Sequence, residues 1–348
     1  MKEKIKREKW IDYTKLFACF LVVLGHLLQG LKKANICWNE NLYYYINSLI
    51  YIFHMPLFMC LSGYLYAKTT RITNKKEYFI FVKKKFMAFS IPYVVFYFTY
   101  VILNIICANN TNSKMGYEEI CNIFVKPIAP FWFLYALFFI FITVPIIEKI
   151  CKDKKEIVFF IFVFLHIMNL FLNTNIYAID IVFEYGVYFY LGKIFCLKDN
   201  KKIISFKYII INICIFNILS LYYSYIGKNL NISNEIMGIL KFLLAIYGSL
   251  LSMSFFIQTE SKLNNCVEIK FLSEYTFPIY LMHTMFSACT RILLLKMKIY
   301  NFEIHFATGL FMGIVGPIIA SKLLEKTKYG EFILYPVRFL KKAGNKKY

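Results

Sequence analysis

The sequence predicts an all-α, polytopic transmembrane helical bundle, and three observations carry that expectation. Hydrophobic residues fill 59% of the 348 positions and charged residues only 18%, with a mean hydropathy of +0.55. A water-facing domain carries roughly a quarter charged residues. Apolar runs of about 20 residues, enough to cross roughly 30 Å of hydrocarbon, recur along the whole chain. The lysines fall in short segments between those runs. The net charge of +21 is therefore a topology signal rather than the basic face of a nucleic-acid binder.

Apolar runs broken by charge clusters predict about ten spans, at approximately 12–31, 43–66, 86–107, 131–147, 157–172, 179–197, 203–226, 236–257, 275–295 and 304–324. The whole of 1–348 reads as a single integral membrane domain, its helices between 12 and 324 and a basic cytoplasmic tail over 325–348. Pro145 and Pro278 fall inside predicted helices, where a membrane protein tolerates proline. No internal repeat is visible, and the longest loops are about twenty residues. The basic start, Met1–Lys9, leads into an apolar stretch without a small-residue cleavage site. It is read as an uncleaved first span.

Lysine and arginine placement orients the bundle. With the N-terminus in the cytoplasm, the inside holds Met1–Lys9, Lys68–Lys85, Lys149–Lys155, Lys198–Lys202, Lys262–Lys270 and the tail from Lys322. These segments carry 29 of the 41 basic residues, against seven in the outside loops. Both termini are expected to be cytoplasmic. The basic tail, with its interspersed aromatics, reads as a surface-lying end drawn to anionic membrane lipid.

Ten cysteines run from Cys19 to Cys289 with no CxxC pair and no Cys/His spacing suited to zinc. Most sit in apolar runs, where a thiol behaves as a small hydrophobe. No structural metal and no bound cofactor are expected.

Charged and polar groups inside spans cost at least a few kcal/mol and mark functional candidates. In the first helix, Asp12, Lys15 and His26 lie in WIDYTKLFACFLVVLGH. Lys15 and His26 are eleven residues apart, about 20° from whole turns, and Asp12 falls about 40° off the same line. All three share one face, with His26 roughly 16 Å deeper than Lys15. Asp12 and Lys15 read equally as an interfacial i, i+3 pair with a snorkelling lysine. His26 lies well inside the hydrocarbon with only Gln29 nearby, and a neutral histidine there either does chemistry or bonds another helix.

The second helix carries His54 in FHMPLFMCLSGYL, readable as an interhelical donor or as a functional group. Trp132 opens the fourth helix, where an interfacial anchor is the common role. Glu184 in the sixth helix is deep enough to need a partner, whereas Lys241 in the eighth is expected to snorkel outward. In the ninth, Thr276, Tyr280 and His283 are spaced i, i+4, i+7 on one face, with Arg291 eight residues further on. Only four arginines occur among the 41 basic residues, so one kept inside a span is wanted for its planar fork. His166 and His305 lack polar company and read as structural. Buried histidines with one acid and several cations suit acid–base chemistry near neutral pH, which an enzyme and a proton-coupled transporter both use.

In order along the chain, these residues resemble the acyltransferase-3 family, ten-span membrane O-acyltransferases that decorate bacterial surface polysaccharides. Arg7, Asp12, Lys15 and the Gly25–His26 pair repeat the family's N-terminal spacing. His54, Met55, Pro56, Leu57 and Phe58, followed by Ser62, Gly63 and Tyr64, repeat its second block. Trp132-Phe133-Leu134-Tyr135, Tyr190-Leu191-Gly192 and Tyr280-Leu281-Met282-His283 repeat three later blocks. The chain is especially similar to the fucose 4-O-acetylase-like subgroup. It departs in carrying Lys15 where many members have Arg, a point charge in place of a bidentate fork, and in having no fused hydrolase-like domain.

The resemblance implies a bacterial inner-membrane enzyme that takes an acyl group, usually acetyl, from cytoplasmic acyl-CoA. The acceptor it implies is a hydroxyl of a surface polysaccharide or a lipid-linked sugar precursor. Acetyl-CoA is then a co-substrate. His26 is the expected general base or acyl carrier, with Asp12 and His54 completing the catalytic set. Arg7 and Lys15 are expected on the donor side, and Trp132, Glu184, His283 and Arg291 on the acceptor side. An exporter or flippase of polysaccharide or lipid-linked sugar is the alternative, but no inverted repeat supports it. A membrane sensor lacks any soluble effector domain here.

Overall fold

The computed structural model describes residues 8–36, 39–107, 115, 118–172, 174–197, 206–263 and 266–345. It is 87% helix, and no strand occurs among the described residues. The long helices are α1 (Lys9–Lys33), α2 (Glu40–Thr69) and α3 (Lys75–Ile106). After a short α4 (Glu118–Cys121) come α5 (Trp132–Ile150), α6 (Lys155–Phe171), α7 (Tyr177–Leu197), α8 (Phe206–Asn229) and α9 (Asn234–Leu263). A connector, α10 (Val267–Glu274), leads to α11 (Thr276–Lys296) and α12 (Phe302–Glu325), and α13 (Lys328–Leu334) and α14 (Pro336–Asn345) complete the described chain.

Each of the ten expected segments falls on one of these helices. Eight of them among the described residues (α1, α2, α3, α5, α8, α9, α11 and α12) are long and apolar enough to cross a membrane. The other two fall short for physical reasons. α6 has 17 residues, fewer than the ~20 that span the hydrocarbon, and α7 carries Asp180, Glu184 and Lys193 within 21 residues.

Local chemistry sets several helix starts. Asn39, Asn74 and Asn301 each accept a hydrogen bond from the backbone N–H three residues on, at 2.9–3.0 Å. These are side-chain caps that satisfy otherwise orphaned donors. The α3 cap is reinforced by the Glu77 carboxylate, which accepts from the Thr73 backbone N–H at 2.8 Å.

The chain divides into two compact units, Met1–Val22, Asn39–Arg71, Thr143–Thr276 and Val23–Trp38, Ile72–Ile142, Phe277–Tyr348. In the first, α2 packs on α7, α8 and α9. A Cβ on Gly63 would strike the Phe189 carbonyl, and one on Gly192 would strike the Cys60 carbonyl. Two glycines thus bring the α2 and α7 backbones into direct contact, a small-residue interface of the kind membrane helices favour. Acids of this unit are matched by donors. Glu148 pairs with Lys193 at 2.5 Å and accepts from the Tyr66 hydroxyl at 3.1 Å. Glu8 pairs with Lys68 at 2.7 Å and accepts from Tyr64 at 2.6 Å. The Glu260 carboxylate accepts from the Lys9 N–H at 2.8 Å, at the positive end of α1.

In the second unit, Leu27, Leu31 and Ile36 are buried together with Leu295, Phe302, Phe306 and Leu310 around them. The Ser287 hydroxyl donates to the Gly309 carbonyl at 3.0 Å and ties α11 to α12. Lys85, three turns into α3, lays its ammonium 3.5 Å from the Phe141 ring centroid, a cation–π contact. The tail that the sequence left as a basic segment forms α13 and α14, both packed against α3.

Candidate functional site

The second unit contains an open-sided cavity of about 190 Å³. α1 lines it with His26, Gly30 and Lys33, spaced i, i+4 and i+7 and therefore on one helical face. α11 adds Thr284, Ser287 and Arg291, α3 adds Tyr100 and Asn104, and Ala129 comes from the loop before α5. Neither Asp nor Glu is among the lining residues.

His283 is fully buried in α11, and its ring centroid lies 5.2 Å from that of His26. Its Nδ1 lies 3.0 and 2.9 Å from the carbonyls of Ile279 and Tyr280. Carbonyls only accept, so Nδ1 carries the hydrogen and the neutral ring keeps its lone pair on Nε2. That Nε2 is buried and has no hydrogen-bond partner among the described residues. Tyr280, one turn earlier, donates to the Pro130 carbonyl at 2.5 Å and packs edge-on to Phe133. The Tyr280-Leu281-Met282-His283 block therefore holds α11 with its first residue and presents a base with its last.

Arg291 is 9% exposed. Its guanidinium occupies the space over Gly30, where a Cβ would meet Nη1 at 2.5 Å. Its Nε is buried without a hydrogen-bond partner, and no carboxylate among the described residues pairs with it. A cation placed so in a span costs at least a few kcal/mol unless an anion or water compensates it.

Of the residues singled out from sequence, His26, His283 and Arg291 come together here. Trp132 belongs to the same unit at the start of α5, edge-on to Phe133. The cavity lining does not include it.

The remaining candidates lie in the first unit. Asp12 and Lys15 are half-buried in the opening turns of α1, where an acid suits the positive helix end. α1 is unbroken from Lys9 to Lys33, so the stripe expected for Lys15 and His26 is kept on one helix. His54 is buried, with Nδ1 2.6 Å from the Ile50 carbonyl and Tyr51 edge-on at 4.8 Å. Glu184 is half-buried beside Tyr185, and its backbone carbonyl accepts from His166 at 2.8 Å. Lys241, expected to snorkel outward, is half-buried and acts electrostatically on Glu184, His54 and His166. Arg7 lies outside the described residues.

Sequence reading missed Gly30, Lys33, Tyr100, Asn104 and Thr284. Gly30 and Lys33 carried a signal, since they continue the His26 face at i+4 and i+7. Tyr100 and Asn104 carried none, because nothing local to α3 says which helix it meets. Among the described residues no group of three or more His, Cys, Asp or Glu is arranged to hold a metal ion.

Comparison with known proteins places these residues in a common frame. The family model described as an acyltransferase domain matches residues 8–322. A nodulation protein, NolL, of Mesorhizobium japonicum is 31% identical over 143 residues, covering 40% of this chain and 36% of its own length. NolL of Sinorhizobium fredii is 45% identical over 70 residues, covering 20% of this chain and 18% of its own. The chain thus spans about a third or less of the length of these curated relatives. No solved structure matches it. The family match runs from the residue before α1 to within four residues of the end of α12, and so takes in most of both units and every residue that lines the cavity. This multi-pass chain belongs to the acyltransferase-3 family.

Proposed function

We propose that this chain is a ten-span membrane O-acyltransferase with both termini in the cytoplasm. It moves an acyl group, acetyl in the first instance, from acyl-CoA to a hydroxyl of a cell-surface polysaccharide or its lipid-linked sugar precursor. The family match over 8–322 supports the reaction class. The observation that carries the chemistry is the His26–His283 pair, with His26 lining the cavity and His283 beside it, one His283 nitrogen tied to the backbone and the other open.

In this reading the acceptor hydroxyl donates its proton to the imidazole of His26 as its oxygen attacks the thioester carbonyl. The carbon–sulfur bond breaks, the ester bond forms, and the CoA thiolate takes up the proton. His283, fixed as the Nδ1–H tautomer, keeps its Nε2 lone pair open beside the His26 ring. The first-unit residues serve the donor and the network. Lys15 and Arg7 meet CoA phosphates at the cytoplasmic end, Asp12 orients the cation, His54 completes the catalytic set and Glu184 serves the acceptor, as does Trp132 of the second unit. A bacterial cytoplasmic membrane is the expected location, as the lysine-rich inside loops support.

The test is incubation of the purified chain with radiolabelled acetyl-CoA and surface glycan. Label should pass to glycan with release of free CoA in the wild type and not in His26→Ala. Undiminished product from His26→Ala removes the base assignment. Transport of glycan without any CoA release supports an exporter instead.

A further inference from the structure

The cavity of the second unit holds a feature that acyl transfer to a neutral sugar does not use. Arg291 is buried, and among the described residues its Nε has no hydrogen-bond partner and no carboxylate answers its charge. It is also aimed, because its guanidinium fills the gap left by the missing side chain of Gly30. Gly30 lies one turn beyond His26 on the same face, a rise of about 6 Å. Lys33, exposed at the end of α1, stands on that face about 10 Å from His26 along the axis. The Tyr100 hydroxyl is close enough to interact electrostatically with the guanidinium.

Two cations and no acid therefore line a space that also holds the candidate base. A guanidinium presents a planar fork of N–H donors that matches phosphate or carboxylate oxygens in pairs. An open Nε–H is one prong of that fork. The size of the space narrows the ligand further. About 190 Å³ is below the roughly 300–1,000 Å³ of sites that bury a drug-sized molecule. A single sugar ring's edge with one charged group suits it, and a whole acyl-CoA does not.

We propose that Arg291, seated on Gly30 and assisted by Lys33, forms an oxyanion subsite for the acceptor. The acceptor then carries a phosphoryl or carboxylate group one to two helical turns from the hydroxyl that His26 activates. The inference rests on the acyltransferase reading for the word acceptor, but its anion binding is measured without turnover.

Two sources supply such an oxyanion: the phosphoryl group of a lipid-linked sugar, and the carboxylate of an acidic sugar. The experiment uses the full chain in lipid nanodiscs and measures binding by thermal shift and by titration. The probes are glucosyl phosphoryl undecaprenol, glucuronate, neutral octyl glucoside and acetyl-CoA. At least one of the first two should bind well above the neutral glucoside, and that affinity should fall as salt rises. Arg291→Gln should weaken it roughly ten- to hundredfold, as loss of a charge-assisted bidentate contact does. Lys33→Gln should weaken it by a few-fold. Gly30→Ala keeps both charges and is the better helix former, yet it should weaken the same probe by displacing the guanidinium.

Preference for the phosphoryl probe assigns a lipid-linked acceptor, and preference for glucuronate assigns an acidic glycan. Equal binding of the neutral glucoside, or anion binding unchanged in both Arg291→Gln and Gly30→Ala, overturns the subsite. So does a loss confined to acetyl-CoA, which would move the charge to the donor. Failure of acyl transfer is distinguishable, since Arg291-dependent anion binding would survive it.

Discussion

The two units differ in how their helices hold the charged and basic groups that turn inward. In the first, Glu148 is buried with Lys193 and Tyr66 as its donors, and half-buried Glu8 pairs with Lys68 and Tyr64. In the second, Arg291 keeps an unpartnered Nε and His283 an unpartnered Nε2, both at or beside one cavity. Paired charges deep in a protein hold helices in register, whereas an open donor or base is retained at a cost in stability. The contrast separates residues that build this molecule from residues that wait for a ligand.

Substitutions sharpen that contrast. The largest effect is expected from His26→Ala, which should lower labelled acyl transfer by about 10²–10⁴-fold, the range of a lost general base. Its melting temperature should move little. Glu148→Ala should do the reverse. It strands the Lys193 ammonium in a buried setting, so unfolding should become easier by about 3 kcal/mol, read by thermal melting in detergent, while transfer per folded molecule persists. Gly192→Ala in α7 should lower stability by about 1–3 kcal/mol, because its Cβ has only the Cys60 backbone to push against. The smallest effect carries the most information. Arg291→Met removes a buried cation with no counter-charge among the described residues and should raise stability by about 1 kcal/mol, while acceptor binding falls. A loss of stability in Arg291→Met would mean that the arginine is structural and would erase the difference between the units.

Much of this was legible in the chain before folding was considered. The apolar runs located every long helix to within a few residues at most ends, since burying backbone in lipid leaves little choice but helix. The largest departure was the start of α3. It runs back to Lys75 although the apolar run begins only near Phe86, because Asn74 and Glu77 cap it in a polar stretch. The histidines of the cavity were legible as polar residues in apolar surroundings, and His283 as the last residue of a recognisable block.

The sequence by itself determined a helical, multi-pass chain and named His26, His283 and Arg291 among its costly residues. Both follow from transfer energies that each residue carries with it, whatever its neighbours. Only the tertiary structure decided that His26 and Arg291 line one cavity with His283 beside His26, that Gly30 is the seat of the guanidinium, and that Glu148 belongs to Lys193. Those facts depend on which helix faces meet. Local periodicity is silent on that choice, because in lipid every apolar face is an acceptable surface until packing and polar partners select one.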